Sequence, residues 1–120
     1  MPWEIIYSSE FETWFAKLDQ DSAKAIARSL GILRELGPML GRPHVDTLKG
    51  SRTKNLKELR TQCKHQAFRT MFVFDPARNA VVLIGGDKMG DKRFYEKIIY
   101  QAEEIYSDYL RRFLHEKKRI

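Results

Sequence analysis

The sequence predicts an α+β domain in which an N-terminal strand and a helical hairpin pack on a small antiparallel sheet, followed by a C-terminal helix. Three observations carry this expectation. Apolar residues recur at helical spacing between Phe11 and Leu33, three β-rich segments separated by turn residues fill 56–85, and helical spacing returns beyond Asp91. With 120 residues and 42% hydrophobic content, the chain suits one domain, residues 1–120, around one modest core.

The first element is Trp3-Glu4-Ile5-Ile6-Tyr7, short, aromatic and β-branched, which reads as a strand. Ser9 followed three residues later by Glu12 fits a capping box that opens a helix. Phe11, Trp14, Phe15 and Leu18 then place one apolar face on that helix, and Asp19-Gln20-Asp21 interrupts it. A second helix carries the stripe Ala23, Ile26, Ala27, Leu30 and Leu33 and stops at Gly37-Pro38, where proline cannot continue it. Residues 39–54 show no sustained period and read as a long surface loop rich in Arg and Lys.

Leu56–Thr61, Phe68–Phe74 and Ala80–Gly85 read as an antiparallel meander, with turns at Gln62–Gln66 and Asp75–Asn79. Val81-Val82-Leu83-Ile84 is apolar at every position, which predicts a strand covered on both sides. Beyond Gly85-Gly86-Asp87-Lys88 a long helix starts near Asp91, with Ile98, Ala102, Ile105, Tyr109 and Phe113 along one side and a frayed basic tail at Glu116–Ile120.

Composition excludes several classes. No apolar run approaches the ~20 residues that span a bilayer, and Met1 is followed by Pro2-Trp3-Glu4 rather than by a basic stretch. Cys63 is the single cysteine, and His44, His65 and His115 are scattered without zinc-ligand spacing. The expectation is a cytoplasmic protein with no metal and no cofactor. Net charge is +6, and its excess is local: residues 1–40 carry four Lys/Arg against six Asp/Glu, whereas residues 41–80 carry nine against three. The middle of the chain is therefore where an anionic partner is expected.

Side chains alternate along a strand, so Glu58 and Arg60 share one face while Lys57 and Leu59 share the other. On the next strand Arg69, Met71 and Val73 lie opposite Phe68, Phe72 and Phe74. If the phenylalanines face the core, Arg69 falls on the less buried surface. Meander pairing then brings Arg60 near Arg69, with Lys88 at the end of the following strand and Tyr95 about two helical turns beyond. Two guanidiniums, an ammonium and a phenol suit phosphodiester cleavage without a metal, because fixed cations stabilise the charge that builds on phosphorus and a phenol or ammonium can move protons. The set holds no ordinary base: Tyr and Lys titrate near ~10 and one of them would need a depressed pKa. On residue types alone, a solvated basic face without chemistry fits equally well.

These residues also carry a resemblance. The order strand, helical hairpin, basic loop, three strands and helix, with Leu56-Lys57-Glu58-Leu59-Arg60, then Phe68-Arg69-Thr70-Met71-Phe72-Val73-Phe74, then Gly85-Gly86-Asp87-Lys88, resembles the RelE/ParE superfamily of bacterial toxins and, within it, the HigB-like, phage Gp49-like branch. The resemblance covers nearly the whole chain. It implies a microbial-ribonuclease-like fold, cleavage of mRNA on the translating ribosome and a helix-turn-helix antitoxin as partner. It places Arg60 and Arg69 where the family contacts the scissile phosphate, Lys88 at a basic position after the last strand, and Tyr95 where RelE-like members have a tyrosine proposed as base. Glu58 stands where RelE itself has a lysine, which leaves Lys54, Lys57 or Lys92 to supply the missing charge. With Lys49 and Arg52 these form the expected RNA-binding set. The alternative within the superfamily is a ParE-like inhibitor of a DNA topoisomerase that hydrolyses nothing.

Structural readings stand beside the functional ones. Trp14, Phe15, Phe72 and Phe74 at helical or strand spacing are core residues. Glu58 beside two arginines reads as an ion pair that orients them rather than as a general base. His44 and His65 read as solvated loop residues, Asp87 as a cap for the turn or the next helix, and Gly85-Gly86 as a site of close backbone packing.

Overall fold

The computed structural model describes residues 2–118. Along the chain run β1 (Glu4–Tyr7), α1 (Ser9–Ala16), α2 (Gln20–Leu36), a 3₁₀ turn (Gly37–Met39), β2 (Val45–Thr47), β3 (Lys57–Cys63), β4 (Gln66–Phe74), β5 (Asn79–Asp87) and α3 (Phe94–Lys118). The five strands form one sheet in the order β1-β5-β4-β3-β2. The α+β class and the β3–β4–β5 antiparallel meander are as expected. Two strands enlarge it. β1 joins β5 in parallel, with Ile5 opposite Ala80 and Tyr7 opposite Val82. β2 lies inside the segment expected to be loop and pairs Val45 with Leu59 at the far edge.

Local chemistry explains the helix ends. Ser8, still extended at φ −71° and ψ 156°, accepts the backbone N–H of Phe11 on its hydroxyl at 2.9 Å and so caps α1. The cap is one residue earlier than the expected Ser9, because Ser8 is still tied to the strand through its N–H to the Val82 carbonyl. Ser9 is already helical and cannot cap. At the end of α2, Gly37 takes φ +55°, and a Cβ there would lie 2.4 Å from the Trp3 indole. Glycine is required there by conformation and by space alike. The α2 stripe is narrower than expected: Ile26, Leu30 and Leu33 are buried, Ala27 is exposed, and Ser22 is buried with its hydroxyl donating to the Gln66 side chain.

The sheet is covered on both faces. α1 and α2 pack Phe11, Ile26, Leu30 and Leu33 on Leu59, Phe68, Phe72 and Val82. On the other face α3 packs Phe94, Ile98 and Ala102 on Met71, Val73, Val81 and Leu83. The second layer corrects the expectation that Arg69, Met71 and Val73 share a less buried surface: the α3 stripe closes over it. It also accounts for β5, whose alternate side chains enter opposite cores. Close approach fixes both glycines at its end. A Cβ on Gly85 would lie 2.3 Å from the Trp14 ring, and one on Gly86 would lie 2.9 Å from Phe94.

α3 begins at Phe94, three residues later than expected, after a turn in which Asp91 accepts the N–H of Arg93. Ile98 and Ala102 are buried, Ile105 and Tyr109 half-buried and Phe113 exposed, so the stripe weakens toward the end. Of the tail expected to fray, 116–118 continue the helix and 119–120 lie outside the described residues. No helix among the described residues is long and apolar enough to cross a membrane.

Candidate active site

Antiparallel pairing sets Arg60 directly opposite Arg69 and Glu58 opposite Met71, so β3 and β4 present both arginines and the carboxylate on the α3 side of the sheet. Glu58 is the hub of what forms there. Its side chain is 3% exposed. Oε2 accepts from Arg60 Nη2 at 3.1 Å and Nε at 3.3 Å, while Oε1 accepts the Tyr95 phenol at 2.7 Å and lies 3.5 Å from Arg69 Nε. A second carboxylate stands outside it: Asp46 on β2 holds Arg60 Nη2 at 3.3 Å and Arg42 at 3.2 Å. The ion-pair reading of Glu58 matches this geometry.

The two arginines differ in access. Arg60 is 34% exposed and Arg69 12%. Arg69 donates through Nη1 to the Phe68 carbonyl at 2.9 Å, and its buried Nε has no hydrogen bond within the described residues. That Nε faces Glu58 Oε1 at 3.5 Å, so the pair is held by charge rather than by a hydrogen bond. The Arg42 hydrogen bond holds the Asp46 carboxyl below the ordinary carboxylate range.

Tyr95, from the first turn of α3, closes the cluster. Burial, together with the hydrogen bond it gives Glu58, pushes its phenol up from the ordinary value, and the nearby Arg69 guanidinium only partly offsets this. The depression that a Tyr95 base would need is therefore not found: at neutral pH Tyr95 is a protonated donor, not a phenolate base. Lys88 comes to the same residue, its ammonium 5.7 Å from the centroid of the Tyr95 ring. Asp87 places that turn by accepting the N–H groups of Ala67 and Met89.

The expected RNA-binding residues are not gathered with this cluster as one set. Lys57 is on the opposite face of β3 and donates to Thr47 at 2.7 Å. Arg52 is committed to α3: its backbone N–H, its guanidinium and the Ser51 hydroxyl all reach Glu103, and the guanidinium also pairs with Glu104. Burial would push the Glu103 carboxyl up, but these donors outweigh it and hold it below the ordinary range. Lys49, Lys54 and Lys92 are exposed and carry no hydrogen bond or ion pair among the described residues.

Sequence reasoning missed the Asp46 contact and the depth of Glu58. Asp46 has no signal in a segment without period, whereas Glu58, alone among the basic residues from 49 to 69, was there to be found. A larger hollow of about 490 Å³ between β1, α1 and α2 is lined by Tyr7, Phe11, Phe15 and Leu30 and holds none of the expected site residues.

Residues 13–107 match the family model of phage-derived Gp49-like proteins (DUF891). Over 102 residues the chain is 39% identical to a Mycobacterium tuberculosis protein named as the toxin HigB2, a match covering 83% of this chain and 51% of that protein. Over 107 residues it is 38% identical to HigB3 of the same organism, named likewise, covering 88% and 92%. The chain thus spans about half the length of HigB2 and nearly all of HigB3. In fold it is similar to an arginine double mutant of Escherichia coli toxin RelE in the free state, with TM-score 0.57 and 11% identity over 82% of this chain and 96% of that one. A chain of the archaeal RelE–RelB complex from Pyrococcus horikoshii gives TM-score 0.55 and 13% identity over 75% and 99%. The chain belongs to the Gp49-like family and is HigB-like within it, with a RelE-like fold.

Proposed function

We propose that this chain is the toxin of a type II toxin-antitoxin pair and cleaves mRNA on the translating ribosome without a metal, held in check by a helix-turn-helix antitoxin. The observation that carries the reading is the pairing of Arg60 with Arg69 around buried Glu58 and Tyr95. Cations held rigidly by a buried carboxylate are preorganised for a phosphate that gains charge in the transition state. Arg60, the more exposed, meets the scissile phosphate first, and the charge of Arg69 lies behind it beside Glu58. Tyr95 works as a relay: its oxygen takes the proton of the attacking 2′-hydroxyl as its own proton passes to Glu58, the 2′-oxygen bonds to phosphorus as the bond to the 5′-oxygen breaks, and that oxygen takes a proton from water, so no phenolate is needed. Lys88 adds positive charge beside it.

The HigB names of the relatives and the RelE neighbours favour this reading, and no observation favours a ParE-like inhibitor. Induced expression of the chain alone should arrest growth and create new mRNA 5′ ends within translated regions while plasmid supercoiling stays normal. Efficient cutting of naked RNA, or intact transcripts with blocked supercoiling, would overturn it. Arg60→Ala should lower cleavage by ~10²-fold or more. It is a cleaner test than Arg69→Ala, because Arg69 still neutralises Glu58 in it, whereas loss of the more buried Arg69 perturbs the cluster's own stability.

A further inference from the structure

Where β2 stops at Val45 and β3 runs on, a groove of about 440 Å³ opens between α2 and the sheet edge. Arg60 and Arg69 line it, so it is continuous with the cluster, and Arg28, His44, Ile32 and Pro43 form its walls. None of the described residues lining it is acidic. Its frame is fixed by the Arg60 N–H donating to the His44 carbonyl at 2.8 Å and by a 2.7 Å hydrogen bond from Thr61 to Ser29. Arg28 and His44 are both exposed, and neither side chain has a hydrogen bond or ion pair among the described residues. Elsewhere near the cluster the cations are spoken for: Arg42 and Arg60 by Asp46, Arg52 by Glu103.

We propose that this groove is a subsite for one nucleotide of a single-stranded RNA, adjoining the phosphate held by Arg60 and Arg69, with Arg28 and His44 on the neighbouring phosphate or sugar and the base against Ile32 and Pro43. The inference rests on the proposed function and extends it to residues outside the Glu58 cluster. Arg28 and His44 add a guanidinium and an imidazole with no facing carboxylate beside the paired Arg60 and Arg69, which selects an anion, and guanidinium forks suit phosphate oxygens. The apolar wall argues for a nucleotide over an acidic peptide: Ile32, 41% exposed on α2, and Pro43 offer a base an apolar surface beside the cations. Single-stranded RNA offers its unstacked bases to such walls, and the hollow is within the ~300–1,000 Å³ range of small-ligand sites.

The test titrates the full chain with a short, fluorescently labelled, 2′-O-methylated single-stranded oligoribonucleotide and follows anisotropy at several salt concentrations. Arg28→Ala and His44→Ala, both exposed and so compatible with an unchanged melting temperature, should each weaken binding, Arg28→Ala by about tenfold. The salt slope for Arg28→Ala should be shallower by about 0.7, one single-strand phosphate contact. On translating ribosomes both variants should raise KM more than they lower kcat. No binding by the wild type, unchanged affinity in both variants, or tighter binding of a glutamate-rich peptide of equal charge would each overturn the subsite. If the oligoribonucleotide binds through Arg28 and His44 but induced cells show no new mRNA ends, the nuclease reading fails and the groove stands. If cells show the cuts and neither variant alters affinity, the reverse holds.

Discussion

The two faces of the sheet reach the same end by different chemistry. Against α1 and α2 the packing is aromatic, with Trp14 edge-on to Phe68 at 5.9 Å and Phe72 edge-on to Phe74 at 5.1 Å. Against α3 the apolar core of Met71, Val73 and Leu83 gives way, toward Arg60 and Arg69, to a carboxylate held by two guanidiniums and a phenol. The aromatic face stabilises by burying apolar area, at about 25 cal/mol per Å². The ionic end of the other face loses solvation and recovers it only through geometry, so its residues specify position more than they add stability.

Removing the hub gives the largest effect and the sharpest contrast. Glu58→Ala leaves Arg69 buried without its counter-ion and should destabilise by about 3–5 kcal/mol, comparable with the ~3–5 kcal/mol of Phe72→Ala on the aromatic face. The faces should then part company. Replacing Glu58, Arg60 and Arg69 together by Leu, Met and Met should restore or exceed wild-type stability in urea unfolding, by up to about 4 kcal/mol, with cleavage lost. A triple variant as weak as Glu58→Ala would show that the ion cluster contributes stability after all.

Tyr95→Phe should cost about 1.5–3 kcal/mol, the range for a hydrogen bond to a charged group. Because the folded pKa of Tyr95 is raised, its contribution is complete below the ordinary tyrosine value of ~10 and is lost as pH rises through the folded value. Burial raises Tyr7 and Tyr106 as well, so the variant should show a shallower alkaline loss of melting temperature than the wild type, not an absent one. Identical slopes would remove Tyr95 from the cluster's proton balance.

On the aromatic face the smallest of the three changes is Gly85→Ala. With 2.3 Å between the added Cβ and Trp14, it should cost about 1–3 kcal/mol by overpacking. Pairing it with Trp14→Leu should recover part of that loss in the urea midpoint. An additive double variant would mean that β5 yields rather than the indole.

The same contrast explains what the sequence made legible. Phe11, Trp14, Ile26, Leu30 and Leu33 declare the aromatic face because they are apolar and recur at helical spacing. Val81–Ile84 declares its double burial for the same reason. Arg60 and Arg69 are legible as a pair from strand alternation alone. The depth at which they sit is not: it depends on how Phe94, Ile98 and Ala102 dock from elsewhere in the chain. Tyr95's raised pKa is likewise a product of burial, invisible in a residue type. β2 is three residues long and sits among Gly, Pro and charges, so pairing with β3 creates it and no pattern announces it. Ser8 and Ser9 are chemically equivalent as caps, and only the Ser8 bond to Val82 decides between them.

Parallel pairing of β1 with β5 also sets an order in time. Ser8 meets its partners on β5 across 75 residues of chain, and at about 5–20 residues per second of synthesis the first strand waits roughly 4–15 s for them. Until then α1 and α2 have only β3 and β4 to lie on, and Ile5 and Ile6 have no neighbour strand. Tyr95 emerges later still. A nascent chain therefore carries both arginines for some time before the phenol that completes their setting exists, and the Glu58 cluster closes among the last events of its production.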